Sequence, residues 1–104
     1  MARLGFKMYL VEGQAAEYEK RHDEIWPEVV DVLHSQGIYD YSIFLDEETN
    51  TLFALQNRRP ESDADIVTDS PVMQRWFVHM HGLLKTNPDG TPIVIPLREV
   101  FFMA

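Results

Sequence analysis

The segment IYDYSIFLDEETNTLFALQN (38–57) decides the fold, because it predicts a β-hairpin in the middle of the chain. Residues 38–45 and 51–57 are rich in β-branched and aromatic side chains, which favour strands. The polar residues 46–50 between them predict the turn. The elements on either side of this hairpin therefore determine the topology.

A strand and a long helical stretch precede the hairpin. Residues 4–11 alternate between two faces, which predicts a strand. Residues 14–36 carry apolar side chains at helical spacing, and Gly37 follows where a left-handed cap is favoured. Pro27 predicts a kink, or two helices that meet near Trp26.

The C-terminal half predicts two further helical segments and a strand. A short one is expected at Asp63–Thr68, and Ser70-Pro71 supplies an N-cap and a first helical residue for a helix that runs to about Leu84. Leu97–Met103 predicts the last strand. The order β-α-β-β-α-β is the ferredoxin-like α+β arrangement, here expected as a single domain over residues 1–104.

One face of this sheet needs a cover that two helices do not provide. Strand 38–45 is apolar on both faces, and residues 100–103 are consecutively apolar. An apolar second face must be buried. We expect a symmetric homodimer that packs sheet on sheet, with a ligand cavity in part of the gap; a wider cover of helix or loop is the alternative.

Composition excludes several classes of function. The 104 residues include nine Lys and Arg against seventeen Asp and Glu, a net charge of −8. That sign argues against binding to nucleic acids and to anionic membranes, and the apolar runs are too short to span a bilayer. With no cysteine there is no disulfide, thiolate nucleophile or cysteine metal site. A cytoplasmic location is expected.

Several side chains are candidates for chemistry. Tyr18 and His22 lie one helical turn apart, and histidine titrates near neutral pH; a solvated histidine on an acidic helix is the alternative. Trp26, beside the kink at Pro27, is interpreted as a structural residue that fixes the helix bend. Trp76 and Phe77 present aromatic faces that suit the C–H side of a pyranose, although a core role competes.

Two further pairs of aromatic or histidine side chains lie two residues apart in the sequence. Tyr39 and Tyr41 are two apart on a strand and are expected on the same side. His79 and His81 diverge by about 200° on a helix, so they do not bind one metal ion. The nucleotide-binding glycine motifs are missing from the sequence.

The segment RHDEIWPE (21–28), with Tyr18 before it and Gly37 after it, resembles the signature of the L-rhamnose mutarotase family. Shorter matches follow in the expected order across nearly the whole chain: YSIFLD (41–46), LFA (52–54), QRW (74–76), NPD (87–89) and EVF (99–101).

The resemblance implies a dimeric α+β barrel of ferredoxin-like protomers, an isomerase that interconverts the α and β anomers of L-rhamnose without cofactor or metal. It implies that His22 is the proton donor and that Tyr18, Tyr41, Trp76 and Phe77 contact the sugar. The family often has a second tryptophan where Phe77 stands, so an indole N–H is lost here.

Mutarotation also needs a group that removes the anomeric proton, and Asp23, Glu24, Tyr18 and a water are all candidates. Two rival classes remain: another small dimeric α+β barrel enzyme, of monooxygenase or lactone isomerase type, and a non-catalytic binding module. Another 6-deoxy or manno-configured hexose would satisfy the same residues.

Overall fold

The computed structural model describes residues 2–60, 62 and 64–104. The elements follow in the order β1 (Ala2–Tyr9), α1 (Ala15–Asp23), α2 (Pro27–Ser35), β2 (Ile38–Asp46), β3 (Thr51–Arg58), α3 (Ala64–Asp69), α4 (Pro71–His79) and β4 (Ile95–Leu97). The sheet order is β2-β3-β1-β4, and all neighbouring strands are antiparallel. The predicted ferredoxin-like α+β protomer is confirmed. Asp63, where the short helix was expected to begin, lies outside the described residues.

The helices pack on one face of the sheet, where the core lies. Its buried members include Met8, Leu10, Leu52 and Ala54 from the strands and Val29, Met73 and Trp76 from the helices. The opposite face carries Phe44 and Leu55, which are 59% and 44% exposed. The prediction of a second apolar face is therefore confirmed, and the structure of the single chain leaves these side chains open to solvent.

The long helical stretch is two helices, as Pro27 predicts. Trp26 between them is extended, with φ −67° and ψ 132°, the conformation favoured before proline. Gly37 ends α2 with φ +72°. A Cβ atom at Gly37 would meet Cβ of Arg59 at 2.8 Å, so both the backbone angle and the close approach require glycine.

The helix α4 is shorter than predicted. It begins at Pro71 as expected, but Ser70 makes no side-chain capping hydrogen bond, and the helix ends at His79 rather than near Leu84. Pairing with the end of β1 competes with further helix. Leu84 bridges to Leu10, and the Lys85 amide donates to the Tyr9 carbonyl at 2.8 Å.

The predicted position of the last strand, Leu97–Met103, is also wrong. β4 covers only Ile95–Leu97, which pairs with β1, and residues 98–103 are not in a strand. Val100 and Phe101 are 80% and 78% exposed. Strand preference produces a strand only where a neighbouring backbone is available to pair. Within the described ranges, no helix is long and apolar enough to cross a membrane.

Candidate active site

A cavity of about 1560 Å³ opens between the helices and the sheet. All five side chains that the sequence singled out for substrate chemistry line it: Tyr18, His22, Tyr41, Trp76 and Phe77. The lining comes mainly from the helix-facing side of the sheet. The cavity expected in the gap between two packed sheets stays a prediction, because that gap forms only when a second copy covers the sheet.

The helix α1 contributes Tyr18 and His22 in contact with each other. Their ring centroids are 4.4 Å apart and their planes are inclined by 33°. Nδ1 of His22 lies 3.1 Å from the carbonyl oxygen of Tyr18. Because a carbonyl only accepts, Nδ1 carries the proton of this bond. Nε2 is therefore the nitrogen that can exchange a proton with a ligand.

The surroundings of His22 favour its neutral form. Burial lowers the pKa of His22, and the opposing effects of the Tyr18 carbonyl and of Asp23 are smaller. The imidazolium, when it forms, is a stronger acid than that of a solvated histidine. Burial also raises the pKa of Tyr18, so its hydroxyl stays protonated at neutral pH.

The helix α4 supplies an aromatic wall centred on Trp76, which is only 6% exposed. Its ring meets those of His22 at 5.7 Å and Trp26 at 5.2 Å, both edge to face. His79 stacks against the same two tryptophans. Trp26 and His79 do not line the cavity. They support Trp76 from outside, in agreement with a structural role for Trp26, while Phe77 is half-buried at the cavity wall.

The strand β2 places Tyr41 by means of a bulge. Tyr39 pairs with Asn57 but Ser42 pairs with Leu55, so one extra residue interrupts the register, and Asp40 has φ +50°. Residues that pair directly share a face of the sheet. Tyr39 therefore shares the uncovered side with Asn57 and Leu55, whereas Tyr41 lies on the helix-facing side, and both residues border the cavity.

The prediction that the two tyrosines share a side is wrong, since it assumed unbroken alternation. The Tyr41 ring accordingly meets that of Phe6, on the helix-facing side of β1, with centroids 6.4 Å apart.

Two functional candidates escaped the sequence reasoning. Gln56 and Arg58 follow Leu52 and Ala54 on the inward series of β3, and both line the cavity. Gln56 is 3% exposed. Its Oε1 accepts a hydrogen bond from Nε of Arg58. The sequence feature that could have identified them is a polar residue, Gln56, at an inward-facing position of an otherwise apolar strand.

Tyr41 lines the cavity together with this pair. Partial desolvation by its neighbours raises the pKa of Tyr41 to about 12, although Arg58 and Gln56 act in the opposite direction. The described residues contain no cluster of three His, Asp or Glu side chains placed to hold a metal ion. The site therefore offers the imidazole of His22 beside the tyrosine hydroxyls and the aromatic wall, and two further histidines, His34 and His81, also line the cavity.

The family model for L-rhamnose mutarotase matches residues 3–103. The chain belongs to the L-rhamnose mutarotase family. Among its relatives, the L-rhamnose mutarotase of Jannaschia sp. is 52% identical over 99% of both chains. The L-rhamnose mutarotase of Brucella anthropi is 48% identical, and the match covers 97% of this chain and 95% of the Brucella protein.

Solved structures agree with this membership. The crystal structure of an L-rhamnose mutarotase from Formosa agariphila matches the whole of both chains, with a TM-score of 0.90 and 43% identity. An antibiotic biosynthesis monooxygenase matches with a TM-score of 0.61 over 96% of this chain and 99% of its own, at 11% identity. The second likeness concerns the fold alone, so it does not favour the monooxygenase alternative.

Proposed function

We propose that this protein is an isomerase that interconverts the α and β anomers of L-rhamnose. The observation that carries the proposal is the geometry of His22 in a chain of the mutarotase family. One nitrogen of the ring is held by the Tyr18 carbonyl, and the ring lines the same cavity as the Tyr41 hydroxyl and the Trp76 ring.

Ring opening requires two proton transfers. His22 donates the Nε2 proton to the ring oxygen as the bond between that oxygen and the anomeric carbon breaks. A second group removes the proton of the anomeric hydroxyl, whose oxygen becomes the aldehyde carbonyl. Rotation about the next carbon–carbon bond and closure on the other face, with both protons returned, yields the other anomer. Positioned acid–base groups supply roughly 10²–10⁴-fold in rate.

The positions of the candidate side chains reduce the number of groups that could remove the anomeric proton. Asp23 and Tyr18 line the cavity, whereas Glu24 does not. Tyr18 is kept neutral by burial, so it serves better as a hydrogen-bonding group than as a base. Asp23 and a bound water remain as acceptors of the anomeric proton.

The remaining lining side chains suit a neutral deoxy sugar. Trp76 and Phe77 present apolar faces for the pyranose C–H side or for a C6 methyl group, and Tyr18 and Tyr41 present hydroxyls for the sugar oxygens. The cavity has no described metal-binding cluster, and the proposed chemistry uses proton transfer alone.

The same proposal includes a homodimer. Phe44, Leu55 and Leu97 are exposed on the uncovered face of the sheet. An apolar surface of this kind is stabilised by a second copy that packs face to face. A cytoplasmic location also stays a prediction, which cell fractionation tests.

The decisive experiment follows freshly dissolved α-L-rhamnose by polarimetry, and the anomeric exchange by saturation-transfer NMR, with and without protein. Acceleration of both signals supports the proposal. Unchanged rates contradict it and favour a binding module or another enzyme class. Parallel assays with other 6-deoxy and manno-configured hexoses determine the sugar specificity.

A further inference from the structure

The helix α1 carries Tyr18 and His22, yet little of its surface is buried. Of its nine residues only Tyr18 is buried. The backbone of α2 packs closely on α4 and on β2, whereas α1 makes no comparably close backbone approach to another of the described elements. A helix with few buried contacts is held less firmly than the rest of a fold. The position of α1 therefore depends on individual side-chain contacts.

Arg21, the residue before His22, makes one of these contacts with α4. Its Nη1 donates to the carbonyl oxygen of His79, the last residue of that helix. The carbonyl groups in the last turn of a helix lack donors within the helix, and a cation is favourable there. The guanidinium therefore joins the second half of α1 to the C-terminal end of α4.

Glu17 orients the Arg21 side chain from the same helix. Nε of Arg21 donates to Oε1 of Glu17, one turn earlier, at 2.8 Å. This hydrogen bond lowers the pKa of Glu17, so the carboxylate is charged at neutral pH. A planar guanidinium presents its donors in fixed directions. With Nε bonded within α1, the terminal nitrogen bonds across to α4, and Arg21 forms a bridge between the two helices.

The Arg21 bridge lies beside the groups assigned to the chemistry. The ring of His22 meets that of Trp76 at 5.7 Å, and Trp76 is one turn before the His79 carbonyl that Arg21 binds. His22 and Trp76 line the cavity, whereas Arg21 and Glu17 do not. Arg21 therefore affects the site through the placement of α1 on α4 and not through contact with a ligand.

We propose that Arg21, oriented by Glu17, is a positioning residue that holds the His22 imidazole against Trp76 at the distance required for proton transfer to the sugar. The inference rests on the proposed mutarotase function and adds to it the support of the proton donor. A half-exposed ion pair contributes little to stability. A misplacement of about 1 Å, in contrast, can lower a rate about 100-fold, so the effect belongs in kcat.

The variant Arg21→Met tests the bridge, because it keeps an apolar stem and removes both hydrogen bonds. We expect kcat for L-rhamnose to fall at least about tenfold and KM to change less than about threefold, since the aromatic wall stays in place. The melting temperature should stay close to that of the wild type. Arg75→Met makes the same change at an exposed position of α4 outside the cavity and should keep wild-type kinetics.

The opposite results overturn the proposal. A wild-type kcat in Arg21→Met, with or without a lower melting temperature, would assign Arg21 a purely structural role. An equal loss of kcat in Arg75→Met would show that the loss of one positive charge is sufficient.

Two further variants separate the bridge from the charge. Arg21→Lys keeps the charge, but a single ammonium nitrogen does not reproduce the two fixed directions of the guanidinium. Its kcat should stay at least about threefold below that of the wild type, and full recovery overturns the bridge. In an Arg21→Met background, Glu17→Ala should lower kcat by less than about twofold, because Glu17 acts through Arg21. Additive losses overturn this link.

A spectroscopic measurement reports the position of the imidazole without the assay. The protein is labelled with carbon-13 at histidine Cε1, and the His22 resonance is assigned by its loss in His22→Asn. At about pH 8 the ring is neutral, since burial holds the pKa of His22 below 6.5. The resonance should shift in Arg21→Met, because the ring moves relative to the aromatic Trp76, and stay unchanged in Arg75→Met.

An unchanged His22 resonance in Arg21→Met overturns the positioning role. If the wild type does not accelerate anomer exchange, the proposed function fails, and the resonance alone decides whether Arg21 places the ring.

Discussion

The ring of His22 lies against the ring of Tyr18 with centroids 4.4 Å apart, and its Nδ1 is 3.1 Å from the Tyr18 carbonyl oxygen. One residue thus supports the imidazole through two separate contacts. The carbonyl determines which nitrogen carries the bound proton, and the phenol ring limits the tilt of the imidazole. Nε2 is left as the only ring nitrogen for a sugar oxygen.

Replacement of His22 by Asn or Ala should remove most of the catalysis and leave the fold intact. We expect kcat for anomer exchange to fall at least about 100-fold, since a positioned acid contributes roughly 10²–10⁴-fold. Saturation-transfer NMR measures the rate, and circular dichroism measures the melting temperature.

His79→Asn is the matched control for this experiment. Both histidine rings contact Trp76, but only His22 lines the cavity. The His79→Asn variant should have a somewhat lower free energy of unfolding than the wild type and nearly the same kcat. Near wild-type exchange in His22→Asn would show that His22 is structural and that the donor lies elsewhere.

The activity should depend on pH through His22. Its folded pKa lies below 6.5 because of burial, and the donor role requires the imidazolium. As pH rises through that lowered pKa the imidazolium is lost, so kcat should decline by up to about tenfold per pH unit on the alkaline side. A kcat that instead rises with pH and levels off above 6.5 would identify His22 as the proton acceptor.

Truncation of the aromatic wall should separate binding from stability. Trp76→Ala removes a ring that is 6% exposed and in contact with three other rings, so it should lower the free energy of unfolding by about 3 kcal/mol or more. It should also weaken the binding of rhamnose more than Phe77→Ala, which loses only apolar contact at a half-buried position. Thermal melts and sugar titrations of both variants test this. Stronger loss of affinity in Phe77→Ala at equal stability would reverse the assignment.

The uncovered face should make the protein a dimer. Light scattering should give about 24 kDa, twice the chain mass of 12.1 kDa. Leu55→Lys, on that face, should shift the mass towards the monomer, because a buried ammonium without a partner is costly. Glu47→Lys in the β2–β3 turn is the control and should stay dimeric. A wild-type mass of 12.1 kDa at micromolar concentration rules out the dimer.

Local patterns in the sequence were enough for the order of elements and for most of their boundaries. The alternation in β1, the helix break at Pro27 and the left-handed Gly37 each follow from preferences of a few neighbouring residues. The match to RHDEIWPE (21–28) likewise identified the family, since it depends on residue identities in order.

Only the tertiary structure decided what depends on pairing between distant segments. The extra residue at Asp40 shifts the β2–β3 register and sends Tyr39 and Tyr41 to opposite faces, which no alternation rule reveals. The end of α4 and the brevity of β4 likewise depend on where β1 offers backbone partners. Gln56 lies opposite both Asp40 and Tyr41 only because of the bulge, so this arrangement follows from the folded sheet and not from the order of residues in the chain.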